Sequence, residues 1–184
     1  MIAQVERQLF TASDYHKMVD VGILKPTDRT ELIRGQIIKM SPIRSLHASI
    51  VDVLNESLVL HLHKKAKVRI QNPIRIGQYS EPEPDIVVAK YRKDSYRTRH
   101  PRPEDVLLLI EVADSSLQFD KEVKLPLYAE AGIPEYWMVN IPEQAVEIYR
   151  MPKNGGYQEK TTVSKLETAV CEGIEFKIKV EELF

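Results

Sequence analysis

Five consecutive apolar residues, Val106, Leu107, Leu108, Leu109 and Ile110, run directly into a carboxylate, Glu111. Such a run has neither helical period nor alternation, which is the pattern of a strand covered on both faces. It is the candidate central strand of a sheet. Closing it with a charge is costly unless that charge is paired or meets a cation. Asp85 to Ala89 reads as the strand before it, so Asp85 and Glu111 bring one carboxylate each to the ends of two core strands. Further upstream, Lys67 to Ile76 is extended, with Val68, Ile70, Ile74 and Ile76 in alternation and Pro73 indicating a bulge or an edge position.

Helices and hairpins fill in around these strands. Leu46, Ile50, Leu54, Leu58 and Leu62 recur every fourth residue, the apolar stripe of a long helix packed on the sheet. Thr11 and Asp14 are spaced as a capping box for a short peripheral helix that Gly22 ends. Thr30 to Met40 reads as two short strands folded about Gly35. Asp120 to Ala131 reads as a helix stopped by Gly132 and Pro134, with Pro126 implying a kink or a late start. Tyr136 to Asn140, Ala145 to Arg150 and Tyr157 to Val163 read as strands, the last two joined at Asn154, Gly155 and Gly156. The expected fold is an α/β or α+β domain, a mixed sheet with flanking helices and extra β-hairpins, with no internal boundary across residues 1–184.

Composition narrows the function classes. The 184 residues are 43% hydrophobic and 29% charged, the balance of a globular protein. Lys and Arg total 26 against 27 Asp and Glu, so any nucleic-acid surface must be local. Cys171 stands alone, which excludes an intrachain disulfide and suits a reducing compartment, with the cytoplasm as the expected location. Met1 to Phe10 lacks the apolar core of a signal peptide, and no stretch approaches the roughly 18 apolar residues of a membrane span.

Asp85 and Glu111 match the needs of Mg²⁺, which takes hard oxygen ligands and commonly one or two protein carboxylates. The plain alternative is that each acid caps a strand or pairs with an arginine. The flanking residues bear on that choice: Glu83, Pro84 and Asp85; Leu109, Ile110, Glu111 and Val112; Asp120, Lys124 and Tyr128; Gly132, Ile133, Pro134, Glu135, Tyr136 and Trp137. Together they resemble the Uma-two family of restriction endonuclease-like proteins, within the PD-(D/E)XK nuclease superfamily. Glu31 to Gly35, Ser41 with Pro42, and His47 fall in the family's order, so the resemblance spans nearly the whole chain.

The resemblance implies a restriction endonuclease-like core and a Mg²⁺- or Mn²⁺-dependent nuclease acting on DNA, often as a homodimer. It implies Asp85 and Glu111 as metal ligands, with the Val112 carbonyl as a further ligand, and a catalytic lysine. The superfamily's lysine position, two after Glu111, is Ala113 here. Lys124 is the expected substitute, because Asp120, Lys124 and Tyr128 share one helical face. Lys121 is the second choice and points off that stripe. Glu31 and His47 are expected to complete the pocket, and Glu83, on one face with Asp85 in extended chain, to offer a second metal position or to face solvent.

Lys90, Arg92, Lys93, Arg97, Arg99 and Arg102 lie in a loop between the Asp85 and Glu111 strands, interleaved with Tyr91, Tyr96 and His100. They are candidate phosphate contacts, or simply a solvated loop. Lys64, Lys65, Lys67 and Arg69 are read instead as the cationic end of the long helix. Two rival functions stay open: a catalytically inactive nuclease-like module that binds nucleic acid or protein, and a small-molecule hydrolase using the same metal pair.

Overall fold

The structure, a computed structural model, describes residues 7–184, so the part of the amino-terminal reading that rests on residues 1–6 lies outside it. Six strands form one mixed sheet in the order β3-β4-β5-β6-β7-β8: β3 (Ala66–Ile70), β4 (Ile86–Lys90), β5 (Val106–Ala113), β6 (Glu135–Asn140), β7 (Ala145–Lys153) and β8 (Gly156–Val163). All neighbours are antiparallel except β5 and β6. Parallel neighbours require a crossover. It is made by α3 (Leu117–Phe119), a π-helical turn (Asp120–Lys124) and α4 (Leu125–Glu130).

The apolar run behaves as its pattern demands. Leu108, Ile110 and Val112 enter one core with Ile50, Leu54 and Leu58 of α2 (Ser45–His61), while Leu109 and Ala113 enter the other core with Tyr128, Tyr136 and Leu127. Both faces of β5 are therefore buried. The strand also continues past Glu111 to Ala113, which leaves Glu111 inside the sheet on the α4 side. Of the predicted helical stripe, Ile50, Leu54, Leu58 and Leu62 are buried, but Leu46, in the first turn, is exposed.

The structure departs from the sequence reading at several places. β3 is an edge strand, as Pro73 suggested, but it stops at Ile70 because Gln71 adopts φ of 48°. The crossover helix starts at Leu117 and not at Asp120, and it meets Pro126 with a π turn: Leu125 N–H reaches back to the Asp120 carbonyl. Two further strands, β9 (Thr168–Cys171) and β10 (Phe176–Lys179), form a separate hairpin whose Phe176 and Ile178 pack beneath α2.

At the amino-terminal end, the Thr11 capping box starts α1 (Ala12–Asp20). β1 (Thr30–Ile33) and β2 (Gln36–Lys39) pair around Arg34 and Gly35, whose φ values of 49° and 76° make the turn that suits a two-residue hairpin. A Cβ at Gly35 would also meet Leu9 Cβ at 2.7 Å. Gly35→Ala is expected to destabilise the fold by about 1–3 kcal/mol through backbone strain and this clash. Urea denaturation measures it; an unchanged midpoint would contradict the turn geometry.

Candidate active site

The first residues of β4 and the far part of β5 are neighbours because Ile86 pairs with Ile110. That register sets Asp85 beside Glu111, and the Asp85 N–H donates to Glu111 Oε2 at 3.3 Å. Asp85 Oδ2 accepts from the Val112 N–H at 2.9 Å and lies 3.0 Å from His47 Nε2, near the start of α2. Oδ1 accepts from Gln71 Nε2 at 3.3 Å. Burial would raise the Asp85 pKa, but His47, Val112 and Gln71 outweigh it and hold this carboxyl below its ordinary value. The same hydrogen bond raises the pKa of His47.

Lys124 projects from the end of the π turn into the other half of the cluster. Its ammonium donates to Glu111 Oε1 at 3.0 Å and lies 3.3 Å from Glu31 Oε2 and 3.9 Å from Asp120 Oδ1. Tyr128, one turn along α4, donates to the same Glu111 oxygen at 2.7 Å. Burial would deprotonate Lys124, yet Glu111, Glu31 and Asp120 overwhelm that effect and raise its pKa, so it stays cationic. Glu111 is pushed up to about 8, first by burial and then by Asp120, Asp85 and Glu31, with Lys124 opposing. Burial likewise raises Asp120 and Glu83.

A cavity of about 260 Å³ opens here, and Glu31, His47, Glu83, Asp85, Glu111, Val112, Asp120 and Lys124 all border it. Eight expected residues thus meet at one place, and Tyr128 supports them from behind. The Glu83 side chain is half-buried, and its backbone N–H donates to Glu31 Oε2 at 3.1 Å. Lys121 is elsewhere, 2.8 Å from Glu147, as the helical offset implied. Arg29, Arg44, Gln71 and Ser116 were not anticipated: Arg29 and Arg44 line the cavity, and Ser116 donates to Asp120 at 2.6 Å. Only folding brings Gln71 to Asp85 and Arg44 to Asp114, whereas Ser116 stands four residues before Asp120, a local spacing that could have revealed it.

The basic loop lies away from the acid cavity. Its ends are Lys90 of β4 and Val106 of β5, and antiparallel pairing sets these at the opposite end of the strands from Asp85 and Glu111, about 16 Å along the sheet at ordinary strand rise. Lys90, Arg92, Lys93, Arg97 and Arg99 therefore do not reach the acid cavity. Two of them are also spoken for: Arg92 pairs with Asp94 at 2.7 Å and Arg99 with Asp105 at 2.5 Å.

Six carboxylates, Asp114 included, against Lys39, Lys124, Arg29 and Arg44 leave a net negative lining suited to a hard cation. Among the described residues no three or more His, Cys, Asp or Glu side chains form a closed metal cage. A two-carboxylate Mg²⁺ site does not require one. With this geometry in view, comparison with known proteins is informative: the Uma2 family model, described as "Putative restriction endonuclease", matches residues 12–181. The chain belongs to the Uma2 family. The Uma2 chain also resembles the crystal structure of "a putative nuclease belonging to DUF820 from Anabaena variabilis ATCC 29413", with a TM-score of 0.73 at 17% identity. That alignment covers 95% of this chain and 97% of the other, and it establishes a shared fold. No curated protein matches the sequence.

Lys124 is the charge that holds the Uma2 cluster together. Lys124→Met should destabilise the protein by about 3–5 kcal/mol at pH 8, the cost of breaking a buried ion pair. The raised Glu111 pKa means that its neutral form favours folding at low pH and that this contribution is lost as pH rises toward about 8. The loss in the variant should therefore be smaller at pH 5.5. Urea titrations at both values measure it; equal losses would contradict the coupling between Lys124 and Glu111.

Proposed function

We propose that this chain is a Mg²⁺- or Mn²⁺-dependent endonuclease that hydrolyses phosphodiester bonds of DNA, as a single restriction endonuclease-like domain. The observation that carries the reading is the cavity in which Asp85 and Glu111 share a rim with a permanently charged Lys124. Asp85, Glu111 and the Val112 carbonyl would hold the metal. Support for Val112 comes from its N–H, which turns toward Asp85 on an edge of β5 that lies beyond the first residue of β4. When bound, the cation would neutralise phosphate charge and lower the pKa of a water.

The chain's own groups do the rest. Lys124 keeps its proton, which makes it a donor and not a base: it steadies the attacking water or the charge developing on phosphate oxygen. Asp120 and Glu31 orient Lys124, and Tyr128 fixes the Glu111 carboxylate. His47 holds Asp85 in one rotamer through their 3.0 Å contact. Glu83, on the cavity wall, is the candidate for a second metal position.

The test is cleavage of supercoiled and linear DNA with Mg²⁺, Mn²⁺ or chelator, beside folded Asp85→Asn and Lys124→Ala variants. Wild type should cut only with metal. Asp85→Asn should abolish cutting, and Lys124→Ala should slow it on the order of 10²–10³-fold, as for loss of a transition-state donor. Cutting that survives Asp85→Asn would move the chemistry elsewhere. A folded, metal-binding wild type that cuts nothing would instead favour the inactive nuclease-like module.

A further inference from the structure

A second cavity, of about 390 Å³, is lined by His16, Arg75, Tyr96, Arg97, Arg99 and Arg102, which come from α1, the stretch after β3 and the loop before β5. Its charge is opposite to that of the acid cavity. Buried Glu81 accepts from Arg75 Nε at 2.6 Å and lies 2.6 Å from His16, and Asp105 holds Arg99. Four guanidiniums face two carboxylates, and among the described residues Arg97 and Arg102 make no ion pair.

Tyr96 packs one of these guanidiniums, Arg99, together with Arg92 and Arg69, which lie outside the cavity lining. The guanidiniums of Arg92, Arg99 and Arg69 lie 5.1, 5.7 and 5.8 Å from its ring centroid, within cation–π range. The Arg69 Nε is buried with no hydrogen-bond partner. Arg75 and Arg99 are held by carboxylates, while the exposed Arg97 and Arg102 are the surplus forks, and a guanidinium fork grips the oxygens of a phosphate bidentately. The segment from Glu81 to Asp85 joins the two cavities: Glu81 backs the basic one, while Glu83 and Asp85 line the acidic one. Four residues of extended chain span at most about 13 Å.

The geometry points to a phosphate-binding site, built by Arg75, Arg97, Arg99 and Arg102, that grips a phosphate of the nucleic-acid strand flanking the bond presented to Asp85 and Glu111. It deepens the nuclease reading and rests on it for the identity of the strand. It keeps Arg97, Arg99 and Arg102 of the loop expected from sequence, drops Lys90, Arg92 and Lys93, which do not line the cavity, and adds Arg75 and His16 from other segments.

The test measures binding alone, in chelator, so that it is independent of cutting. Labelled single-stranded and duplex DNA are titrated by fluorescence anisotropy at several salt concentrations, and inorganic phosphate by calorimetry. The variants are the pair Arg97→Ala with Arg102→Ala, chosen because neither side chain makes an ion pair, and exposed Lys177→Ala on β10 as control. The double variant should bind DNA on the order of tenfold more weakly, with a shallower salt slope by about 0.7–0.9 for each lost phosphate contact, while Lys177→Ala matches wild type. Phosphate heat lost together with DNA affinity would identify a site that also takes free phosphate; DNA affinity lost alone would identify one that needs the strand. DNA affinity and slope unchanged in the double variant would overturn the proposal, leaving the acid-cavity reading untouched.

Discussion

Burying a lysine's ammonium is unfavourable unless nearby anions offset the loss of water, and Lys124 meets that condition with carboxylates from three separate elements. Glu31 comes from the β1–β2 hairpin, Glu111 from the middle of the sheet and Asp120 from the π turn, all within 4 Å of one nitrogen. None of these acids is well placed without the cation, and the cation is untenable without them. The arrangement therefore ties the hairpin, β5 and the crossover helix into one unit. The π turn belongs to the same constraint: placed just before Pro126, it leaves Lys124 and Asp120 both buried and facing Glu111.

Charge is divided across the molecule in a way that the overall balance of -1 conceals. On one side of the Glu81 to Asp85 segment, carboxylates outnumber cations around the 260 Å³ cavity; on the other, guanidiniums outnumber carboxylates. Such a division suits a substrate that is itself an anion. On the proposed reading a divalent cation would let the acid side accept a phosphate, whereas the basic side would meet one directly.

Much of this was legible in the sequence wherever a local pattern determines the outcome. The uninterrupted run before Glu111 marked a strand buried on both faces, and the four-residue spacing of Asp120, Lys124 and Tyr128 placed three side chains toward that strand even though one of the intervening turns is π and not α. What escaped depends on pairing at a distance. The basic loop looked close to Asp85 because it follows that strand in sequence, but antiparallel register carries the chain away from Asp85 before the loop begins. Gln71 reaches Asp85 only because the chain turns at a left-handed residue after β3. The β9–β10 hairpin was missed because four-residue strands, even with Phe176 and Ile178 in alternation, carry too few positions to register as a period.

If Asp85 and Glu111 hold a divalent cation as proposed, its binding completes the ionisation of Glu111 that burial opposes. Proton release on Mg²⁺ binding tests this most directly, through calorimetric titrations at pH 7 in buffers of different ionisation enthalpy. Because the Glu111 pKa stands at about 8 before binding, a cation that requires its carboxylate must displace a substantial fraction of a proton. The expected result is a binding heat that varies with buffer for wild type, with the variation lost in Glu111→Gln. Binding of Mg²⁺ with the same heat in every buffer, or none at all, would contradict the account.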